Sequence, residues 1–441
     1  MKSKGNKASV RKIALLCLIA IRKRGAYSNI ITDRASGELD DKRDRAFLTS
    51  LVSGATERRI TLDYIINTLA SRSGAEIDED VNDILRLGIY QLRYMDRIPQ
   101  RAAVCETVKL GRNAGEKSFI NAILRAYIKK EDELTFPKKE KNTARYLSVR
   151  YSFPREMCRF FIDNFGEEKT EEYFECFNSV SPLTLRINTL KISVDNFISS
   201  LPSGTSAAKS ELCEGAVIID SGAATDIPGY DEGMFFVQDV TSQTAVKALG
   251  AHEGDVVYDV CAAPGGKSFG IAIEMNNKGN VYSFDVHDSK LSLISSGAER
   301  LGVGIIDVKE RDASLSPKSY EYNAADRVMC DVPCSGLGVL GKKADMRYRD
   351  VNTIKELPDL QYKILCQSAK LLKVGGELVY STCTINPAEN EGVIDRFTEE
   401  HDGFEFSNFV ADGEIRKGKY TFYPRRGIND GFFISKVKRI K

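Results

Sequence analysis

Two cysteines sit in short motifs whose residue types suit nucleophilic chemistry. One is in Asp331-Val332-Pro333-Cys334-Ser335-Gly336 and the other in Ser381-Thr382-Cys383-Thr384-Ile385-Asn386-Pro387. A free thiol has a pKa of about 8.5, so attack on carbon needs a nearby cation or helix N-terminus that favours the thiolate. Asp331 opens the first of these motifs, three residues before Cys334. Upstream, Asp259-Val260-Cys261-Ala262-Ala263-Pro264-Gly265-Gly266-Lys267 combines an acid, small residues, a glycine pair and a lysine. That composition lets a backbone turn approach a ligand closely. A lone Pro-Cys or Thr-Cys usually means little, so the weight rests on the combination.

These motifs need elements to place them. Val256 to Asp259 reads as a buried strand ending in an acid, followed by the glycine turn and an apolar helix. Val281 to Asp285, Ala325 to Cys330 and Glu377 to Ser381 are further short apolar runs separated by helical stretches. This alternation predicts an α/β doubly wound, Rossmann-like domain, a parallel sheet with helices on both faces. Ligands in such sheets bind at the carboxyl ends of the strands. Asp259, Asp285, Asp312 and Asp331 all fall at such ends; each alone reads as a turn or cap residue, but together they outline a site. A Walker A loop requires glycine where this chain has Cys261, and no dinucleotide G-x-G-x-x-G is present. Tyr420 to Tyr423 and Gly431 to Lys436 read as a terminal antiparallel strand pair.

The N-terminal part differs. Val10, Ala14, Leu15, Leu18 and Ile21 recur at helical spacing, as do Phe47, Leu48, Leu51 and Val52, then Ile84, Leu85, Leu87 and Leu92. Residues 1–135 therefore read as an all-α bundle. A charged linker with Pro137 follows, and then a small α+β subdomain over 146–232. That subdomain has helical sequence at 154–178, strands at Leu183–Asn188 and Ala216–Asp220, and Ser193 as a helix cap. The catalytic domain takes 233–441. Net charge is +1, yet residues 1–145 carry an excess of about ten positive charges and the remainder about nine negative. A basic domain joined to an acidic one suits recruitment of a polyanion, though a solvated helical surface explains the charge equally well.

No apolar run approaches the roughly 20 residues of a membrane span. The apolar stretch from Ile13 to Ile21 is followed at once by Arg22-Lys23-Arg24 without a small-residue cleavage site, so export is not expected and a cytoplasmic protein is. The 10 cysteines include no C-x-x-C pair, and the 3 histidines have no metal-ligand spacing, so no metal is expected. Cys17, Cys105, Cys158, Cys176, Cys213, Cys330 and Cys366 read as small buried apolar residues.

Taken together, the glycine turn, the Pro-Cys motif and the Thr-Cys motif resemble the RNA (cytosine-5)-methyltransferases. Residues 8–130 resemble NusB, an RNA-binding helical fold, through Asp44-Arg45-Ala46-Phe47, Leu51-Val52-Ser53-Gly54, Leu85-Arg86-Leu87-Gly88-Ile89-Tyr90-Gln91-Leu92 and Phe119-Ile120-Asn121-Ala122-Ile123-Leu124-Arg125. That pairing is similar to the RsmB/Sun/Fmu type, which methylates one cytidine of small-subunit (16S) ribosomal RNA. The resemblance implies S-adenosylmethionine as cofactor, contacted by Cys261, Ala262, Ala263, Pro264, Gly265, Gly266, Lys267, Asp285, Asp312 and Asp331. It assigns the nucleophile to Cys383 and product release to Cys334. Asp331 would bind the cytosine edge, and Lys267 would support the site electrostatically. Free ribosomal RNA, before subunit assembly hides it, is the implied partner.

Three positions depart from the family pattern. Its Asp-Ala-Pro-Cys is Asp331-Val332-Pro333-Cys334 here, and its Pro-Asp-x-Arg-Trp is Ala344-Asp345-Met346-Arg347-Tyr348. Tyr348 keeps an aromatic surface on which a base could stack. Phosphate contacts are expected among Lys342, Lys343, Arg347, Arg349, Arg425, Arg426, Arg150, Tyr151 and Arg186. An RNA-binding antitermination or assembly factor with a vestigial catalytic domain is the alternative, and transfer RNA is the nearer alternative substrate.

Overall fold

The computed structural model describes residues 9–24, 28–70, 76–220 and 223–441. Residues 1–8, 25–27 and 71–75 of the expected helical domain lie outside them, as do 221–222 of the small subdomain. Contacts divide the chain into two compact units. The first is Met1–Glu175 with Lys343–Val351; the second is Cys176–Lys342 with Asn352–Lys441. Among the described residues no helix is long and apolar enough to cross a membrane.

The first unit is helical, as its 3.6-residue periodicity predicts. In the helix Glu79–Tyr94, Val81, Ile84, Leu85 and Leu87 are buried, and Asp78 caps the start by accepting from the backbone N–H groups of Asp80 and Val81. Acidic Glu79 and Asp80 in the first turn and Arg93 in the last complement the helix dipole. The core joins Leu48, Leu51, Leu62, Ile66, Leu85, Ile120 and Leu124 from neighbouring helices. Each such side chain, fully buried, contributes about 1.5–3 kcal/mol. Part of the positive charge of this segment is neutralised internally. Arg86 pairs with Asp63 and Asp83, both at 2.6 Å, and Arg22 pairs with Asp83 at 2.9 Å and Asp80 at 2.6 Å.

Among the described residues the second unit contains a two-stranded hairpin, Asn408–Ala411 with Glu414–Lys417, and two larger sheets. The smaller of these two is antiparallel, in the order Ala207–Lys209, Ala216–Ile219, Leu183–Ile187, Phe235–Val237. It backs onto the helix Val194–Ser200, which Ser193 caps as the sequence predicts. The larger sheet is built from β1 (Val256–Asp259), β2 (Asn280–Asp285), β3 (Ile306–Glu310), β4 (Ala325–Asp331), β5 (Leu372–Thr382), β6 (Phe404–Phe406), β7 (Lys419–Phe422) and β8 (Phe432–Arg439). Its order is β3-β2-β1-β4-β5-β8-β6, with β7 also paired to β8. Strands β1 to β5 are mutually parallel, and β8 enters antiparallel between β5 and the β6 and β7 pieces.

Strand order reverses between β1 and β4, the switch point at which open α/β sheets bind ligands. One face packs on α1 (Val240–Leu249), α2 (Gly266–Glu274) and α3 (Asp288–Leu301) through Val257, Val281, Met329, Val379 and Ile434. The other face packs on α4 (Leu357–Ala369) and α5 (Glu391–Glu400) through Val328, Leu378, Tyr380 and Phe433. Helical cover on that second face is incomplete, contrary to the expectation from strand–helix alternation. The β3–β4 connection is short, contains Pro317, and carries only the 3₁₀ turn Ser319–Glu321 among the described residues. A trench of about 590 Å³ remains there, bordered by Tyr258, Tyr282, Phe284, Arg311 and Glu321.

Candidate active site

Register explains why the two cysteines meet. β4 and β5 run parallel with Asp331 opposite Ser381, so the turns that follow them emerge side by side. Cys334 Sγ and Cys383 Sγ lie 3.2 Å apart, not joined in a disulfide and both half-buried. Beside them Lys267 Nζ, from the first turn of α2, donates to Asp331 Oδ2 at 2.6 Å, and Ser381 Oγ donates to Asp331 Oδ1 at 2.7 Å. Burial opposes the Lys267 charge, but the adjacent Asp331 outweighs it and holds the ammonium pKa above its ordinary value; Cys383 adds in the same direction. The Cys334 thiol is pushed well above its ordinary value, first by its hydrogen bond with Cys383 and then by burial.

The glycine turn lies at the carboxyl end of β1. Its backbone is pinned by Ala262 N–H donating to Phe284 O at 2.7 Å and Ala263 N–H donating to Asp285 Oδ2 at 3.1 Å. Gly265 has φ +108°, and a Cβ there would meet the Phe269 ring at 2.4 Å, so this position excludes other residues. Gly265 precedes α2 without a side-chain cap among the described residues, leaving the first-turn N–H groups without that partner. Such a helix end suits an anionic group of a ligand. Asp285 spends one lone pair of each oxygen, on Ala263 N–H and on His287 N–H at 3.0 Å, and keeps capacity for hydroxyl donors. Asp312 is half-exposed, with its carboxyl held below the usual range by hydrogen bonds from Ser314. Cys261 is half-buried, its thiol raised by burial.

Further residues complete the site; of these Asp259 stood among the strand-end aspartates of the sequence, whereas Ser268, Ser283 and Glu389 were not singled out. Asp259 is fully buried and accepts from Ser268 Oγ at 2.6 Å, while its Oδ1 has no hydrogen-bond partner among the described residues. Ser283 Oγ donates on to Ser268 at 2.8 Å. Under the cysteines, the fully buried Glu389 accepts from Ser335 N–H at 2.8 Å, Gln361 Nε2 at 2.9 Å, Asn386 Nδ2 at 3.0 Å and Ser335 Oγ. The polar run Asn386-Pro387-Ala388-Glu389-Asn390 after the Thr-Cys motif was the available signal. Its burial has no counterpart in hydrophobic periodicity.

Some expected nucleic-acid contacts are engaged internally instead. Arg347 is fully buried, with its guanidinium 4.8 Å from the Phe153 ring centroid. Tyr348 donates its hydroxyl to Thr56 O at 2.7 Å and has Arg59 stacked on its ring at 3.8 Å, so within the helical unit it is an anchor rather than an open stacking platform. Arg186 is 3% exposed and pairs with Glu274 at 2.6 Å. Tyr151 donates to Glu171 and Glu175. Lys342 bridges Asp239 at 2.8 Å and Asp430 at 2.7 Å, and Arg425 pairs with Asp412 at 3.0 Å. Arg150, Lys343 and Arg426 are exposed and Arg349 is half-exposed. Among the remaining cysteines, Cys17, Cys158, Cys213 and Cys330 are buried as expected. Cys176 and Cys366 are half-buried, and Cys105 is exposed because it lies on the outer face of its helix.

Comparison with known proteins bears on the family and the fold. Residues 246–438 match the family model of the 16S rRNA methyltransferase RsmB/F, residues 8–129 match the NusB family, and residues 153–226 match the ferredoxin-like domain of RsmF/B-like methyltransferases. A Synechocystis protein named probable ribosomal RNA small subunit methyltransferase B is 36% identical over 98% of this chain and 99% of its own. The chain belongs to the RsmB/F methyltransferase family. A Bacillus subtilis protein of the same name is 35% identical over 98% of this chain and 99% of its own. A methyltransferase homolog from Pyrococcus horikoshii, solved as a crystal structure, superposes with TM-score 0.57 at 26% identity, covering 66% of this chain and 97% of its own. The α/β methyltransferase domain preceded by a NusB-type helical domain and a ferredoxin-like subdomain is thus the architecture of this family.

Proposed function

We propose that this chain methylates C5 of a cytidine in small-subunit ribosomal RNA, using S-adenosylmethionine as donor and Cys383 as nucleophile. The observation that carries the reading is the 3.2 Å contact between two cysteine sulfurs beside the Lys267–Asp331 pair at the switch point of the sheet. Cytosine C5 is a weak nucleophile until a thiolate adds at C6 and moves the electrons of the 5,6 double bond toward C5. Lys267 favours that thiolate electrostatically, and Asp331 hydrogen-bonds the N3/N4 edge of the base as C6 is attacked. After C5 takes the methyl group, its proton passes to a base delivered by solvent, the C5–H electrons re-form the 5,6 double bond, and the C6–S bond breaks to release the Cys383 thiolate. Cys334, in contact with the departing sulfur, assists this release. The target base must be unpaired or flipped to reach the sulfur.

The donor site falls to the turn Cys261–Lys267, with Asp285 toward the ribose, Asp312 toward the adenine and Asp331 nearest the cysteines. The uncapped start of α2 and the remaining acceptor capacity of Asp285 fit a ligand with a carboxylate and a ribose. When bound, S-adenosylmethionine supplies an electrophilic methyl group.

The test is transfer from labelled S-adenosylmethionine to unmodified small-subunit RNA, with transfer RNA in parallel, followed by mapping of 5-methylcytosine. A single ribosomal cytidine is expected, with activity lowered about a thousandfold or more in Cys383→Ala. Cys334→Ala is expected to accumulate a denaturant-resistant protein–RNA adduct. Labelling confined to transfer RNA would keep the chemistry and overturn the substrate.

A further inference from the structure

Both sulfurs of the pair are cysteine thiols in contact, so chemistry alone does not say which becomes the nucleophile. Their surroundings differ. Glu389 reaches the Cys334 turn through Ser335, the next residue, whose N–H and Oγ both donate to its carboxylate. Gln361 Nε2 ties the same carboxylate to Pro333 O at 3.0 Å, on the other side of Cys334. Toward the Cys383 turn, Thr384 Oγ1 lies 2.8 Å from Ser335 Oγ, and Asn386 donates to Glu389 Oε1. Tyr380 of β5 donates to the Glu389 backbone carbonyl at 2.6 Å. The backbone and amide N–H donors converging on these oxygens fit a carboxylate ion, which only accepts. Cys383, by contrast, interacts with the Lys267 ammonium.

We propose that Glu389 is a positioning residue that divides the work of the two sulfurs: it clamps the Cys334 turn against the Cys383 turn, and its negative charge keeps Cys334 a thiol while Lys267 favours the thiolate at Cys383. The inference rests on the methyltransfer reading above. The titratable groups around Cys334 among the described residues are Cys383, Glu389 and Tyr380, and Lys267, itself paired with Asp331, interacts with Cys383. Behind the Cys383 hydrogen bond, burial and the Cys383 charge, the charge of Glu389 adds to the upward push on the Cys334 thiol. Two thiolates in contact repel strongly, so an anion beside one sulfur biases ionisation to the other.

The experiment is iodoacetamide alkylation of the full chain across pH, read by mass spectrometry on each cysteine peptide, without RNA or methyl donor. In Cys383→Ala the Cys334 midpoint is expected well above that of Cys383 in Cys334→Ala. Adding Glu389→Gln to Cys383→Ala should lower the Cys334 midpoint by about one pH unit and raise its neutral-pH alkylation about tenfold. Ser335→Ala, which removes a clamp donor but leaves the charge, should keep the midpoint. Equal midpoints in the two single variants would overturn the proposal, and so would a Glu389→Gln midpoint matching its parent in a protein that still unfolds cooperatively. If Glu389→Gln fails to fold, the comparison of single variants still decides. Neither outcome depends on methyl transfer, so failure here is distinguishable from failure of the proposed function.

Discussion

Asp259 shows how one side chain at the cofactor turn couples the fold to pH. Burial pushes its carboxyl up to about 7, against the hydrogen bond from Ser268 that favours the ion. In the unfolded chain the same group titrates at about 3.9. Between those values the folded protein holds a proton that the unfolded chain has released. Its contribution therefore makes stability fall as pH rises through that window and level off above about 7. Asp430, also raised to about 7 by burial with Asp239 nearby, acts in the same direction and leaves a residual slope. Asp259→Asn is expected to reduce the loss of stability between about pH 4 and 8 by roughly 2–4 kcal/mol, read from urea midpoints of both proteins across pH. An unchanged slope would mean that Asp259 is not protonated in the fold.

At the scale of elements, the site depends on two turns being held together at a backbone crossing. Gly338 N–H donates to Cys383 O at 3.1 Å, and Gly431 N–H, just before β8, donates to Gly338 O at 2.9 Å. A Cβ at position 338 would lie 2.0 Å from Gly431 O, so only glycine allows this approach. Gly338→Ala must part the Pro-Cys turn from either β8 or the Thr-Cys turn. The expected cost is about 1–3 kcal/mol of stability. Single-turnover methyl transfer should fall by more than the unfolded fraction explains, because a displacement of the sulfurs of about 1 Å is enough to slow reaction. Activity in proportion to the folded fraction would place the crossing outside the site's geometry.

At the scale of the whole molecule, the chain returns to its first unit far from where it left it. Lys343–Val351 groups with the helical unit. There Asp345 accepts from Ser28 N–H at 2.8 Å and Ser28 Oγ at 2.7 Å, at the start of the helix Ser28–Ser36, across 317 positions of sequence. Arg347 is buried against Phe153 and Tyr348 bonds the end of the helix Lys42–Glu57. Burial opposes the Arg347 charge and Glu57 supports it. Arg347→Ala should cost about 2–4 kcal/mol through the lost packing and cation–π contact. Faster amide exchange in the helices Lys42–Glu57 and Thr143–Tyr151 is the expected signature. Unchanged protection there would show that the segment is not part of that unit's core.

Much of this protein was legible in its sequence because the relevant signals are local. Helical periodicity marked the first unit, and short apolar runs marked the parallel strands β1, β2, β4 and β5. The glycine turn, Pro-Cys and Thr-Cys motifs located the site at those strand ends, since strand direction and turn composition follow from neighbouring residues. What needed the tertiary structure were relations between distant positions. The register of β4 on β5 set the sulfur contact, and a β3–β4 connection with only a 3₁₀ turn left a trench where alternation predicted an α-helix. Glu389 and Arg347 look like surface residues by composition, and Tyr348 like an open stacking surface. Each acquires its role from partners brought in by long-range packing, and desolvation together with those partners decides whether a charge serves the solvent, a ligand or the core.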